Sequence, residues 1–407
     1  MDTIKEYLSS HLLMESFFSK IEEHYWLKKM VAFLAMFLIT PVYLIKYFHY
    51  IISYYCIYLG SITTGRKVII FSFSHIMEFR FVNGLMAKLD QNDKIKIVLV
   101  CGHRRLNPNI LRKYCNKYPI FPYGILPCIK ASAFVSLKVD LIWHQPLFTK
   151  KILVFYCPNS IHMIWLEGAF DSYNVYFAIG PHHTNELREF LPKRGKKNFK
   201  IYNIGCESID LMINDRKYSK GIKRIIYAPT WGKGSSLRSY GKDVLEKLLL
   251  LNFEVVFRPH PMSLACEKEC IKDILLSIKK YDNFFYDNRD VANIIDNSVD
   301  LMISDWSGAS LEFALGYDKP VIFIDTPQKI NNRRWSRYIS NRGVEYEYRE
   351  KLGCILRKLE ELPILINDID THYDNYVRRI RNVSCELLYN PGKSSSAAYN
   401  AILDILN

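Results

Sequence analysis

The sequence predicts an α/β protein of two Rossmann-like domains facing each other across a cleft, preceded by an apolar helical segment that meets a membrane. Three observations carry this reading. Beyond Gly65, short apolar runs rich in β-branched and aromatic residues alternate with helix-length pieces; the alternation restarts after a polar, basic stretch; and a long uncharged run lies near the N-terminus.

Composition sets the bounds. A chain of 407 residues is long enough for two domains with separate cores. Hydrophobic residues at 49% and charged residues at 24% exclude a disordered chain. Lys+Arg 55 against Asp+Glu 41 gives a net charge of +14, which favours anionic partners such as nucleotide phosphates, anionic lipid or a phosphopolymer. The basic residues are dispersed and form no nucleic-acid-binding motif, so nucleic acid is not an expected partner. The ten cysteines form no CxxC pair, and the close pair Cys266 and Cys270 has no nearby histidines. Neither a zinc site nor a disulfide framework is indicated, and a reducing, cytosolic setting follows.

Residues 1–65 form the first segment. Met30 to Ile45 is an uncharged run of sixteen residues, shorter than the roughly 20 of a spanning helix. After Lys46 the aromatic stretch "YFHYIISYYCIYLG" follows, and Lys28, Lys29, Lys46, Arg66 and Lys67 flank the two runs. Basic flanks on both sides give no orientation, while the tyrosines suit an interface. The reading is an interfacial or re-entrant anchor on an anionic membrane surface, with a helical hairpin packed on the protein as the alternative. Asp2, Glu6, Glu15, Glu22 and Glu23 ahead of the run argue against a cleaved signal peptide. The expected location is the cytoplasmic membrane, with the domains on its cytoplasmic side.

The strand candidates of the first domain, residues 66–210, are 67–74, 94–102, 139–144, 151–157 and 175–180. Those of the second, residues 211–407, are 223–231, 253–261, 283–287, 299–305 and 319–325. Alternation of this kind builds parallel sheets whose ligands lie at the carboxyl ends of the strands.

Three polar turns occupy such ends in the second domain. In "LMISDWSGASLEFALGYDKPVIF" (301–323) a strand delivers Asp305, Ser307 and Gly308 into a helix from about Ala309 to Gly316. Its free amides and positive end attract anions, small residues let a phosphate approach, and Ser307 or Ser310 adds hydroxyl donors. Glu312, one turn on, suits ribose hydroxyls. An ordinary N-cap by Asp305 or Ser307 explains the same residues. In "RPHP" (258–261) two prolines stiffen the backbone around Arg258 and His260, which suit phosphate oxygens. "YAPTW" (227–231) offers Thr230 and free amides. Proline also ends strands for purely structural reasons, yet three such turns in one domain describe a nucleotide-diphosphate pocket.

The series "YAPTW", "RPHP", "SDWSGASLEFA" and "KPVIF", with "PNSIHMIWLEGAFDSYNVYFAIGPHHTNEL" (158–187) upstream, resembles the CDP-glycerol glycerophosphotransferase family of teichoic-acid and capsule polymerases and primases. The resemblance runs from about Val68 to the C-terminus. It implies a GT-B architecture, a CDP-activated polyol phosphate donor on the C-terminal domain, an acceptor at the membrane surface, and no metal or cofactor. It also implies that His260, with Arg258 beside it, contacts donor phosphate, that Ser307 and Gly308 form the phosphate loop, and that Glu312 sits at the ribose. The family's second histidine, the proposed base, is matched here by His162, with His144 as the second candidate. Two departures accompany the match: Asn159 stands where related chains often carry histidine, and Gly232 where arginine often follows "PTW". A structural role is the simpler reading of His182 and His183.

The implied reaction is attack by a hydroxyl of a lipid-linked saccharide or cell-surface polymer on the β-phosphorus of CDP-glycerol or CDP-ribitol, with CMP released. His162 would take the proton. The same pocket would also suit a GT-B glycosyltransferase using a nucleotide sugar. A non-catalytic membrane partner in polysaccharide assembly is a further alternative.

Overall fold

The computed structural model describes residues 44–101, 106–139, 145–146, 148–166, 168–217, 221–288 and 295–407. Its first sheet contains β1 (Lys67–Phe73), β2 (Ile95–Cys101), β3 (Ile120–Pro122), β4 (Ala133–Ser136), β5 (Lys150–Val154), β6 (Val175–Ala178) and β7 (Lys200–Asn203), all parallel, in the order β3-β2-β1-β4-β5-β6-β7. Its second contains β8 (Arg224–Tyr227), β9 (Glu254–Phe257), β10 (Phe284–Tyr286), β11 (Leu301–Ser304), β12 (Val321–Ile324) and β13 (Gly353–Leu356), also parallel, in the order β10-β9-β8-β11-β12-β13. Each order runs outward from a central strand and then reverses, so each sheet has a switch point, at β1/β4 and at β8/β11.

Helices cover both faces of each sheet, and the central strands are therefore apolar without alternation. In β1 every residue from Val68 to Phe73 is buried, and in β11 all four are. The strands expected near 67–74, 94–102, 151–157 and 175–180, and all five of the second domain, are present. The strand expected at 139–144 lies almost wholly outside the described residues, and the described strand of that region is β4. Three strands carry too weak a signal to be read beforehand. β3 has three residues, and β7 is a polar edge strand, "KIYN", with no buried residue. β13 opens on Gly353, where a Cβ would stand 1.7 Å from the Val321 carbonyl oxygen, so the close strand contact excludes a β-former there.

At the N-terminal end, the helix Phe48–Thr63 lays one side on the first domain. Tyr54 is fully buried and donates to the Lys130 carbonyl at 2.6 Å, and Tyr55 donates to that of Cys128 at 3.1 Å. Phe48, Ile52, Leu59 and Ile62 on its other side are exposed. Among the described residues no helix is long and apolar enough to cross a membrane. The uncharged run 30–45 lies outside the described residues except for Leu44 and Ile45, so the expected anchor gains no support from the fold.

The two sheets meet through the loops at their carboxyl ends, in the GT-B arrangement. The chain crosses from the first sheet to the second after the helix Glu207–Asn214, and it crosses back. Helix Tyr373–Leu387 packs on helices Gly308–Tyr317 and Pro181–Lys193, and helix Ser394–Leu406 packs on β7 and on helix Asn83–Asp90 of the first domain. The return is pinned where Tyr389 N donates to the Ile179 carbonyl at 2.8 Å. Asp210 holds the last helix by accepting from Gly392 N and Ser394 N, each at 2.7 Å. Asp210→Ala leaves both amides without their acceptor. It is expected to cost about 1–3 kcal/mol, measured as a lowered urea midpoint with an unchanged slope.

Candidate functional site

The site is built at the β8/β11 switch point, where the strands part and leave a crevice. Asp305 follows β11 and is buried; its two carboxylate oxygens accept from Thr230 N and Ser236 N, both at 2.8 Å. The sequence places Asp305 among the substrate-binding residues; in the structure its side chain braces the backbone beside the crevice. Its oxygens are committed to backbone amides, and they set the shape of the turn Ala228–Trp231 after β8. Ser304 Oγ adds a bond to the Ala228 carbonyl at 2.7 Å.

Thr230, so placed, meets a cation from another strand end. Lys329, in the loop after β12, donates from Nζ to Thr230 Oγ1 at 3.1 Å and to the Trp231 carbonyl at 3.0 Å, and the ammonium lies 4.2 Å from the Trp231 ring centre. Burial pulls its pKa down to about 8, against the pull of Asp305 and Glu267. His260 completes this side, its ring 6.2 Å from that of Trp231. Its Nδ1 accepts from Met262 N at 3.1 Å and caps the short helix Pro261–Cys266, which places the proton on Nε2. Burial first, and then the Lys329 charge, lower its pKa to about 4. At neutral pH His260 is therefore a neutral hydrogen-bond donor and not an acid.

The helix Gly308–Tyr317 starts beside this group. Ser307 caps it by accepting from Ala309 N at 3.4 Å, and Ser310 Oγ donates to the Ser307 carbonyl at 2.7 Å. Both expected phosphate hydroxyls thus hold the helix's own first turn, which leaves the amide end as the anion-attracting feature. Gly308 sits where the first domain touches the second: a Cβ there would stand 2.5 Å from Cys157 Sγ and 2.6 Å from Asn159 Oδ1. Only glycine fits.

Glu312 and Arg258 form a second group. The Glu312 carboxylate pairs with the Arg80 guanidinium of the first domain at 3.1 Å, across the cleft. Burial raises the Glu312 pKa, opposed by Arg80 and Arg258. This carboxylate was expected at a ribose, but it is held in an interdomain ion pair. Arg258 pairs with Asp287 at 3.0 Å. The side chains expected to converge therefore divide: Thr230 and His260 meet Lys329, whereas Arg258 lies with Asp287 and Glu312.

His162, the base expected from the sequence, lies inside the protein. It is fully buried, with Nε2 3.0 Å from the Asn341 carbonyl and Nδ1 3.7 Å from Glu186. Burial disfavours its charge, but Glu186, the Asn341 carbonyl and Glu345 outweigh that and raise its pKa. With Ser160, which binds Glu345 and Val344 N, it fastens the 158–162 loop to the second domain. His144 lies outside the described residues. His183 is an internal brace; its Nε2 reaches the Asn159 carbonyl at 2.8 Å.

Lys329 and Arg80 are the residues that the motif reading passes over. Lys329 follows "VIFID" at a strand's carboxyl end, the one signal that marks it. Chemically, a cation, a neutral imidazole N–H, a threonine hydroxyl and a helix's amide end in one crevice suit a diphosphate.

Residues 200–404 match the family model described as CDP-glycerol:poly(glycerophosphate) glycerophosphotransferase. No curated protein matches the chain in sequence. Among solved structures, the chain is similar to the wall teichoic acid polymerase TagF, with 16% identity and a TM-score of 0.51 over 84% of this chain and 88% of that one. It is also similar to a putative UDP-N-acetylglucosamine 2-epimerase from Listeria monocytogenes, with 12% identity and a TM-score of 0.54 over 83% and 96%. A third is the UDP-GlcNAc 2-epimerase from Neisseria meningitidis bound to UDP-GlcNAc, with 13% identity and a TM-score of 0.53 over 83% and 100%. At these identities the likeness establishes a shared fold.

Lys329→Met is expected to weaken binding of CDP about 10- to 100-fold, the value of a hydrogen bond to a charged group, in calorimetric titration. The wild-type affinity should fall as pH rises through about 8, where Lys329 loses its charge, and the variant should lack that fall.

Proposed function

The chain belongs to the CDP-glycerol:poly(glycerophosphate) glycerophosphotransferase family and is a transferase of that type; on this premise we propose that it moves glycerol phosphate, or ribitol phosphate, from a CDP-activated donor to a hydroxyl of a lipid-linked saccharide or cell-surface polymer, releasing CMP. The observation that carries the reading is the Thr230, Lys329 and His260 cluster beside the amide end of helix Gly308–Tyr317. Charge on a departing cytidine phosphate needs donors already aimed at it. Here Lys329 supplies a full positive charge below about pH 8, His260 a neutral N–H, and Ser307 to Ala309 the helix end. Preorganised donors of this kind supply much of the rate in phosphoryl transfer. Arg80 and Glu312 hold the two domains together over the crevice, which limits water around the reacting phosphorus.

The protein is assigned, in the same proposal, to the cytoplasmic face of the cell membrane. Phe48, Ile52, Leu59 and Ile62 form an exposed stripe at 62%, 48%, 58% and 50% exposure on helix Phe48–Thr63. Lys46, Arg66 and Lys67 stand at its ends. An apolar stripe with basic flanks suits an anionic interface. Replacing Phe48 and Leu59 together by Glu is expected to cut co-sedimentation with phosphatidylglycerol vesicles at least about tenfold; unchanged sedimentation would remove this helix from the membrane contact.

Purified protein in detergent, given CDP-glycerol, CDP-ribitol or UDP-sugars, is expected to release CMP from a CDP-polyol. His260→Ala should lower that release roughly 100-fold, as removal of a preorganised donor does. Release of UDP from a sugar nucleotide, with CDP-polyols untouched, would overturn the donor assignment.

A further inference from the structure

The attacking hydroxyl sits at the end of an acceptor, and the rest of that acceptor has to lie somewhere on the enzyme. The loop between β12 and the short helix Val344–Glu347 offers a place. Residues 327–343, "PQKINNRRWSRYISNRG", carry Lys329, Arg333, Arg334, Arg337 and Arg342 and neither Asp nor Glu. A run of one sign creates a field that favours an anionic partner. Lys329 at its head already stands in the donor crevice, bonded to Thr230 Oγ1. Arg333 follows it within about 14 Å of extended chain.

The loop is fastened from its inner side to the first domain. Asn331 N donates to the Met163 carbonyl and Asn331 Nδ2 to that of Ile164, each at 2.9 Å, and the Asn341 carbonyl lies 3.0 Å from His162 Nε2. Between these ties Ile339 is buried, the Tyr338 ring packs 4.9 Å from that of Phe190, and Lys193 Nζ donates to the Tyr338 carbonyl at 2.6 Å. Asn332 Oδ1 shapes the turn by accepting from Arg334 N at 3.1 Å. With the backbone so held, Arg333 and Arg337 are exposed, and neither has an acidic partner among the described residues. Arg342 is exposed as well, 4.1 Å from the Tyr346 ring centre and donating to its hydroxyl at 2.8 Å.

Side chains of the same loop select among anionic partners. A membrane interface takes apolar side chains, and no large apolar residue of 327–343 is exposed. Single-stranded nucleic acid needs open aromatic faces for its bases, whereas Trp335 and Tyr338 are half-buried against His162 and Phe190. A chain of phosphodiesters joined by small polyols asks only for guanidiniums presented in series. We propose that the loop 327–343 is the docking surface of the acceptor: Arg333, Arg337 and Arg342 bind phosphodiesters behind its attacking hydroxyl, so an acceptor already carrying several polyol phosphates is used better than one carrying a single unit. The assignment rests on the CDP-polyol reading above.

The test compares wild type with the double variant Arg333→Gln, Arg337→Gln. Each is given CDP-glycerol or CDP-ribitol and two soluble acceptors of the matching polyol, one with a single polyol phosphate and one with a short chain of them, and kcat/KM is measured for each acceptor at rising NaCl. Wild type is expected to use the longer acceptor about 3- to 30-fold better, the value of a few exposed charge contacts, and to lose that advantage toward 1 M salt, where screening acts within about 3 Å. The double variant should lose the advantage at low salt, with the single-unit acceptor and donor KM within about twofold of wild type. Equal use of the two acceptors by the wild type, or an advantage that survives in the variant or in high salt, would overturn the surface while leaving the transferase reading in place. The wild-type salt dependence carries the test if the variant does not fold. Binding to phosphatidylglycerol vesicles should be the same in both proteins; its loss in the variant, with the acceptor preference intact, would make the loop a lipid contact and overturn the proposal. Absence of CMP release by the wild type from either donor would instead overturn the transferase reading and this surface with it.

Discussion

One buried carboxylate organises the donor side of the molecule. Asp305 stands between the two central strands of the second sheet and ties Thr230 N and Ser236 N to the end of β11. A parallel sheet opens a gap where its strand order reverses; left alone, that gap would be a loose set of strand ends. Asp305 makes it a crevice of defined shape. The hydroxyl of Thr230, the ammonium of Lys329 and the start of helix Gly308–Tyr317 all take their places from it. Burial raises the Asp305 pKa, opposed by the amides it accepts from. The charge is therefore kept by hydrogen bonds and not by water, at a cost offset by the order it imposes on three turns.

Closure over the crevice uses contacts of a different kind. Arg80 with Glu312, Ser160 with Glu345 and Val344, and His162 with Asn341 are each made between the two domains. Gly308 lets the loop of Cys157 and Asn159 come down onto the helix start with no side chain between them. Polar contacts at a domain interface exchange with water more easily than an apolar core does, so they suit a cleft that must open and shut.

Much of the fold is legible in the sequence because both sheets are parallel and covered on two faces. Their inner strands read as plain apolar runs, as "VIIFSF" in β1 does. The strand-end turns are legible through their prolines and small residues. What the sequence does not convey is where each polar side chain spends its hydrogen bonds. Asp305, Ser307 and Ser310 look like ligand-binding groups, and they prove to be bonded to their own backbone neighbourhood. His162 looks like a base, but the Asn341 carbonyl, 179 residues away along the chain, holds its ring. Lys329 carries no motif at all; its meaning comes from the packing of β12 beside β11, which brings its loop to Thr230.

The return of the chain to the first domain has a mechanical corollary. The domains are joined twice, once after Asn214 and again near Tyr389, where the backbone is stitched to Ile179. A body attached at one point can swivel in any direction, whereas one attached at two points turns about the line between them. Two joins of this kind reduce the freedom of the halves toward a single axis, a door on two hinges, with Gly308 seated against Asn159 on the closing side.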